Sequence, residues 1–167
     1  MAGKVTYKAC AFTGHRPQKM VFGFDEADPR CRAFKVRLSD TIEGLIGQGY
    51  ARFLSGGAMG FDTFAAEAVI DLRDRYPWIM LEVVCPYAGQ AEKWSEGYRR
   101  RHDRLLRLAD RVVTMTEGYE KGSIFLRNRY LVNHCDLLLA AYDGRPGGTA
   151  MTVKYARDRA VDVKLFA

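Results

Sequence analysis

Three short segments combine glycine with charged side chains in patterns that can bind an anion. They are TGHRP at residues 13–17, SGGAMGFD at 55–62 and YDGRPGGT at 142–149. The second and third are glycine-rich turns that lead into helix-like segments. The first turn of a helix offers unpaired N–H groups and about half a positive charge to a phosphate. Each turn alone could equally be a tight packing turn, because glycine permits close backbone approach.

The expected phosphate ligands are backbone and hydroxyl groups, with a guanidinium as their charge partner. The guanidinium of Arg16 can donate two parallel hydrogen bonds to a phosphate. Arg127 and Arg129 are two residues apart on a predicted helix, so at most one of them faces the site squarely, and we assign Arg129. Asp62 is expected to cap a helix or to contact a ribose. The remaining expected ligands are Gly14, Ser55, Gly56, Gly57, Gly60, Gly147, Gly148 and Thr149.

No motif identifies a catalytic residue. The side chains near these turns that could transfer a proton are His15, Asp62 and Glu67, and each has an ordinary structural role as its alternative. The sequence predicts no metal site, because Cys10, Cys31, Cys85 and Cys135 show no C-x-x-C pairing. We expect these cysteines to be reduced and mostly buried.

Apolar strand-like runs alternate with helical patterns along the chain. Strands are predicted at 5–14, 51–57, 79–87, 111–116, 136–143 and 162–167. Helices are predicted at 32–47, from an Asp62 cap until Tyr76-Pro77 ends the helix, and at 90–109, 123–135 and 149–159, the last with Thr149 as its cap. This alternation predicts one α/β domain over residues 1–167: a three-layer Rossmann-like fold with a mainly parallel sheet and helices on both faces. Ligands of such sheets bind beyond the carboxyl ends of the strands, where all three glycine segments fall.

Composition narrows the class of protein. Hydrophobic residues make up 48% of the chain and charged residues 28%, as in ordinary globular proteins. No apolar run is long enough for a membrane helix and no signal peptide is seen, so we expect a cytoplasmic protein without membrane contact. A formal net charge of +6 favours a phosphorylated or nucleic-acid partner. The absence of GxGxxG and GxxxxGK[ST] argues against a dinucleotide-dependent dehydrogenase and a P-loop ATPase.

The chain resembles the SLOG superfamily, which includes DprA and the "lonely guy" phosphoribohydrolases, and is most similar to its small bacterial YpsA-like members. The motifs that carry the resemblance are AFTGHRP, FLSGGAMGFDTFAAEAV, PYAGQAEKW, RNRYLVNHCDLLLAAYDG and GGTAMTVKYA. The resemblance implies a pocket for a nucleotide or ADP-ribose-like ligand, with both glycine-rich turns holding phosphate. It also implies a homo-oligomer.

One departure from the hydrolases leaves the activity open. Their PGGxGTxxE motif ends in a catalytic glutamate, and this chain has Thr152 where that residue would fall. We therefore predict a cytoplasmic sensor or regulatory protein that binds a nucleotide-derived ligand, with no cofactor identified. The alternatives are hydrolysis of an N-glycosidic or phosphate bond in a nucleotide, and DprA-like binding of single-stranded nucleic acid.

Overall fold

The computed structural model describes residues 7–167 as alternating strands and helices. The strands are β1 (Lys8–Gly14), β2 (Tyr50–Ser55), β3 (Met80–Tyr87), β4 (Arg111–Thr116), β5 (Leu137–Ala141) and β6 (Asp162–Leu165). The helices are α1 (Pro29–Gly47), α2 (Phe61–Leu72), α3 (Glu96–Leu108), α4 (Ser123–Asn133) and α5 (Gly148–Asp158). A short 3-10 turn spans Pro17–Lys19. Residues 5 and 6 of the predicted first strand lie outside the described residues.

All six strands are parallel and follow the order β4-β3-β2-β1-β5-β6. Side chains of α1, α2 and α3 pack into one hydrophobic core, and those of α4 and α5 pack into a second core on the other face of the sheet. This confirms the predicted three-layer Rossmann-like fold. Strand order reverses between β1 and β5, so the connections that leave these neighbouring strands diverge to opposite faces and open a crevice.

Two helices begin elsewhere than predicted. Helix α1 starts at Pro29, three residues early, because Asp28 accepts a hydrogen bond from Arg30 N at 2.8 Å and Pro29 needs no N–H partner in the first turn. Helix α3 starts six residues late, at Glu96 after Ser95. The preceding residues form consecutive turns, in which Glu92 N donates to Gly89 O and Trp94 N to Ala91 O.

The caps of α2 and α5 also differ from the prediction. Gly60, with φ of +88°, precedes α2, and Asp62 lies inside its first turn. A Cβ atom at Gly60 would lie 2.7 Å from His15 O, so only glycine lets the two loops approach this closely. Gly147 precedes α5 and places Thr149 in its first turn. Asp62 and Thr149 are therefore not N-caps.

Other global properties follow from the described residues. No helix within residues 7–167 has the length and apolarity needed to cross a membrane. In the same range, no group of three or more His, Cys, Asp or Glu side chains is arranged to hold a metal ion. Cys10, Cys31 and Cys85 are buried and Cys135 is partly exposed, and none of the four forms a disulfide.

Candidate anion-binding site

A cavity of about 380 Å³ opens at the carboxyl end of β1, between the starts of α2 and α5 and the flank of α4. We call it the switch-point pocket. Its polar lining consists of Thr13, Gly14, His15, Arg16, Gln18, Lys19, Asp62, Arg127, Asn128, Gly148 and Thr149. Three cationic side chains therefore face one carboxylate in this pocket.

Arg127 forms the buried wall of the switch-point pocket and is only 4% exposed. Its Nη1 donates to Gly56 O, and its Nε donates to Asn128 Oδ1 at 2.8 Å. Among residues 7–167, no carboxylate oxygen lies within 4.0 Å of the guanidinium. Burial lowers the pKa of Arg127, an effect that the nearby Asp62 partly opposes. A bound anion would supply the missing counter-charge.

Arg129 lies outside the switch-point pocket, although the sequence assigned the anion contact to it. Its side chain is exposed, and its guanidinium sits over the ring of Tyr155, 5.4 Å from the centroid. The packing of Leu131 and Val132 against the sheet fixes the rotation of α4 and turns Arg127 inward. Of the two arginines, Arg127 therefore lines the switch-point pocket and Arg129 does not.

Arg16 and Lys19 stand at the mouth of the switch-point pocket, and both are exposed. The 3-10 turn after Arg16 brings Lys19 against the loop that precedes α5, where its Nζ donates to Pro146 O at 3.5 Å. A Cβ atom at Gly147 would lie 2.6 Å from this Nζ, so glycine admits the lysine there. Sequence reasoning missed Lys19. Its spacing of three residues from Arg16 across Pro17 was the available signal.

The amino end of α5 closes one side of the switch-point pocket with Gly148 and Thr149. No side chain caps this end and its first turn contains no acidic residue, so its N–H groups are available to an anion. Thr152, the residue that replaces the hydrolase glutamate, is buried and donates its hydroxyl to Gly148 O at 2.9 Å. It does not line the switch-point pocket.

The turn SGGAMGFD contributes to the switch-point pocket through Ala58 and Asp62 alone. Ser55 Oγ donates to Asp62 O at 2.9 Å and accepts from Gly57 N at 3.2 Å, so this hydroxyl is used within the turn. A Cβ atom on Gly56 would lie 2.5 Å from Arg127 Nη1 and 2.8 Å from Asp62 Oδ2. Ser55, Gly56, Gly57 and Gly60 do not line the switch-point pocket, and the contacts above show how they pack the turn.

Asp62 is the carboxylate of the switch-point pocket, and it is 7% exposed. Its Oδ2 accepts from Ala58 N at 3.3 Å. Burial raises the pKa of Asp62, and the Arg127 charge and the Ala58 N–H only partly counter this effect. Gly14 lies beside it, where a Cβ atom would come within 2.5 Å of the Phe61 ring. The site therefore keeps a carboxyl group whose neutral form is favoured by burial.

The other two proton-transfer candidates are placed differently. His15 lines the switch-point pocket, and its Nε2 lies 3.3 Å from Asp143 Oδ1 and 3.2 Å from Asp143 N. Glu67 lies on α2 outside the pocket, where Arg101 Nη2 and Nε donate to its carboxylate at 2.6 and 2.9 Å. Both oxygens of Glu67 are thus engaged by Arg101, away from the switch-point pocket.

An all-parallel sheet with a basic pocket at the reversal of its strand order defines a Rossmann-like α/β protein. Residues 10–164 match the model of the YpsA family, described as the YspA SLOG family. The chain belongs to this family. A UPF0398 protein of Bacillus pumilus is 31% identical over 144 residues, which cover 85% of this chain and 77% of the relative.

Two solved structures of DNA processing protein A share the fold. The Streptococcus pneumoniae protein superposes with a TM-score of 0.67 at 17% identity over 95% of this chain, which spans 50% of the length of that structure. The Helicobacter pylori protein, whose structure is described by its mode of binding single-stranded DNA, gives a TM-score of 0.65 at 17% identity. The match covers 96% of this chain and 65% of the H. pylori chain. At this identity the likeness establishes the fold alone.

Proposed function

We propose that this protein binds the phosphate of a nucleotide-derived ligand in the switch-point pocket and acts as a sensor or regulator in the cytoplasm. The observation that carries the proposal is the buried guanidinium of Arg127, which lines the pocket with no carboxylate within 4.0 Å among the described residues. Arg16, Lys19 and the uncapped amino end of α5 converge on the same cavity. Family membership supports a nucleotide-related ligand.

The dimensions of the switch-point pocket fit the polar part of a nucleotide. Its volume of about 380 Å³ lies in the range of small-molecule sites, and its cationic groups sit at both the wall and the mouth. A phosphate placed between Arg127 and the first turn of α5 would satisfy unpaired N–H groups and a buried charge together. Lys19 and Arg16 then lie beside the part of the ligand, a second phosphate or a ribose, that would extend out of the pocket.

Calorimetric titration with AMP, ADP-ribose and NAD tests this proposal. We expect at least one to bind, and Lys19→Gln or Arg16→Gln to weaken that ligand by about tenfold, because each removes one charge-assisted contact. Arg129→Gln is the matched control, since Arg129 is exposed on α4 outside the pocket. Equal affinities in all variants, or no binding of any ligand, would contradict the proposal.

Hydrolysis of the bound ligand is a second candidate function, favoured by the buried Asp62 carboxyl in the pocket. Burial raises the pKa of Asp62, which favours a protonated carboxyl that can donate its proton to a leaving group. Under this alternative, Asp62→Asn abolishes release of base or ribose phosphate while ligand binding persists. Binding without any product in the unsubstituted protein rules it out.

The partners of this chain beyond a small ligand are also proposals. Ile124, Phe125, Leu126 and Met151 expose apolar side chains on neighbouring helices α4 and α5, which favours a homo-oligomer. Light scattering should then detect dissociation in Phe125→Asp. The net charge of +6 favours weak binding of nucleic acid, whose affinity should fall steeply as salt is raised.

A further inference from the structure

A second cavity of about 380 Å³ lies on the opposite face of the sheet, between the carboxyl ends of β3 and β4 and helix α3. We call it the α3 pocket. Its polar lining includes Tyr87, Gln90, Glu92, Arg99, His102 and Asp103. It shares none of its lining residues with the switch-point pocket.

Gln90 is buried in the lining of the α3 pocket with half of its amide unsatisfied. Its Nε2 donates to Gly56 O at 3.2 Å. Because a carbonyl can only accept, this bond fixes which end of the amide is nitrogen. The other end, Oε1, is buried without a hydrogen-bond donor among residues 7–167. Gln90 is 9% exposed, so this orphaned acceptor lacks solvent as well as a partner.

His102 adds a second acceptor to the α3 pocket. Its Nδ1 lies 3.2 Å from Gly57 O, so Nδ1 carries the hydrogen and donates to that carbonyl. Burial lowers the pKa of His102, which favours the neutral ring. In that ring Nε2 is an acceptor, and it has no hydrogen-bond partner among the residues that the structure describes. The edge-on ring of Trp94, 5.2 Å away, helps to fix the imidazole.

The rim of the α3 pocket is acidic on balance. Glu92 and Asp103 bring two carboxylates and Arg99 brings one guanidinium, and none of the three forms a salt bridge with another described residue. The buried Gln90 acceptor without a partner, the His102 Nε2 acceptor in the lining and the surplus carboxylates at the rim together favour a ligand that donates hydrogen bonds. An anionic ligand is disfavoured by the same groups.

We propose that the α3 pocket is a second ligand site. It binds a small molecule whose amino group donates hydrogen bonds to Gln90 Oε1 and His102 Nε2. Two kinds of molecule carry this chemistry: an aliphatic amine and an amino-substituted heterocycle of the nucleobase type. Gln90 and His102 both line the α3 pocket, which places a ligand in this cavity beside both side chains. The site stands independently of the function proposed for the switch-point pocket.

Ligand-detected NMR titration with matched small molecules tests the α3 pocket. Adenine and purine differ by one amino group, and 1,4-diaminobutane represents the aliphatic source. We expect either adenine to bind at least about tenfold more tightly than purine, or diaminobutane to bind, and this outcome identifies the source. Equal binding of adenine and purine without binding of diaminobutane overturns the proposal, as does binding of neither amine.

Variants locate the binding within the α3 pocket. Gln90→Met keeps the side-chain length without the amide and is expected to weaken the amine by about tenfold, as is His102→Gln. Arg104→Gln, an exposed substitution on α3 outside the pocket, is the control and should bind normally. Lys19→Gln should also bind the amine normally, which separates this site from the switch-point pocket. Unchanged affinity in a folded Gln90→Met or His102→Gln protein overturns the assignment.

Discussion

Arg127 and Gln90 donate hydrogen bonds to the same backbone oxygen, that of Gly56, from opposite faces of the sheet. The Arg127 side chain belongs to the switch-point pocket and the Gln90 side chain to the α3 pocket. The Gly56 carbonyl therefore connects a side chain of one cavity to a side chain of the other. The next carbonyl along the chain, Gly57 O, accepts a hydrogen bond from His102 on the α3 side.

Substitution of Gly56 should disturb this shared contact. A Cβ atom at this position would lie 2.5 Å from Arg127 Nη1, so Gly56→Ala forces the guanidinium to move. We expect the free energy of unfolding to fall by about 1–3 kcal/mol, as for other overpacked sites, and ligand binding in the switch-point pocket to weaken. Urea denaturation and calorimetry measure the two effects.

Gly44→Ala provides the matched control for that substitution. Gly44 lies within α1, and a Cβ atom there would meet nothing within 4 Å. Alanine in a helix interior should stabilise the protein by about 0.5–1 kcal/mol. If Gly56→Ala were as stable as Gly44→Ala and bound ligand normally, the close approach of Arg127 would not constrain this position.

The stability of the protein should depend on pH through Asp62. Burial raises its native pKa above the ordinary value of 3.8, so its contribution to stability is fully present below pH 3.8 and is lost as pH rises through the native pKa. Asp62→Asn removes this loss. The free energy of unfolding of the Asn variant relative to the unsubstituted protein should therefore increase from acidic to neutral pH, as measured by denaturation at each pH. A constant difference would show that Asp62 titrates normally.

Glu67 should contribute to stability and not to ligand chemistry. Arg101 binds both oxygens of Glu67 and also pairs with Glu26, so Glu67→Gln weakens a partly buried ion network. We expect a loss of about 1–2 kcal/mol in the free energy of unfolding, with ligand affinity and any turnover unchanged. Asp71→Asn, on an exposed position of α2, controls for charge. Loss of ligand affinity in a folded Glu67→Gln protein would show that this residue contributes to ligand binding.

The fold and the edge of the sheet that bears the site were predictable from local patterns. Alternating apolar strands and helices require a parallel sheet, and its carboxyl edge gathers Gly14, Asp62 and Gly148 whatever the details. The choice between Arg127 and Arg129 was not predictable, because it depends on how α4 rotates against a core built from distant strands. Gln90 escaped notice for a similar reason, since its partner Gly56 lies 34 residues away.

Helix α4 extends from the edge strand of the sheet to its centre. It begins after β4, ends ahead of β5, and packs against β4, β3 and β1 while carrying Arg127. It therefore acts as a diagonal brace that links β1, at the switch-point pocket, to the more distant strands β3 and β4. An anion that immobilises Arg127 should slow amide hydrogen exchange in β4. Binding in the switch-point pocket would then be detected as slower exchange in an edge strand of the sheet.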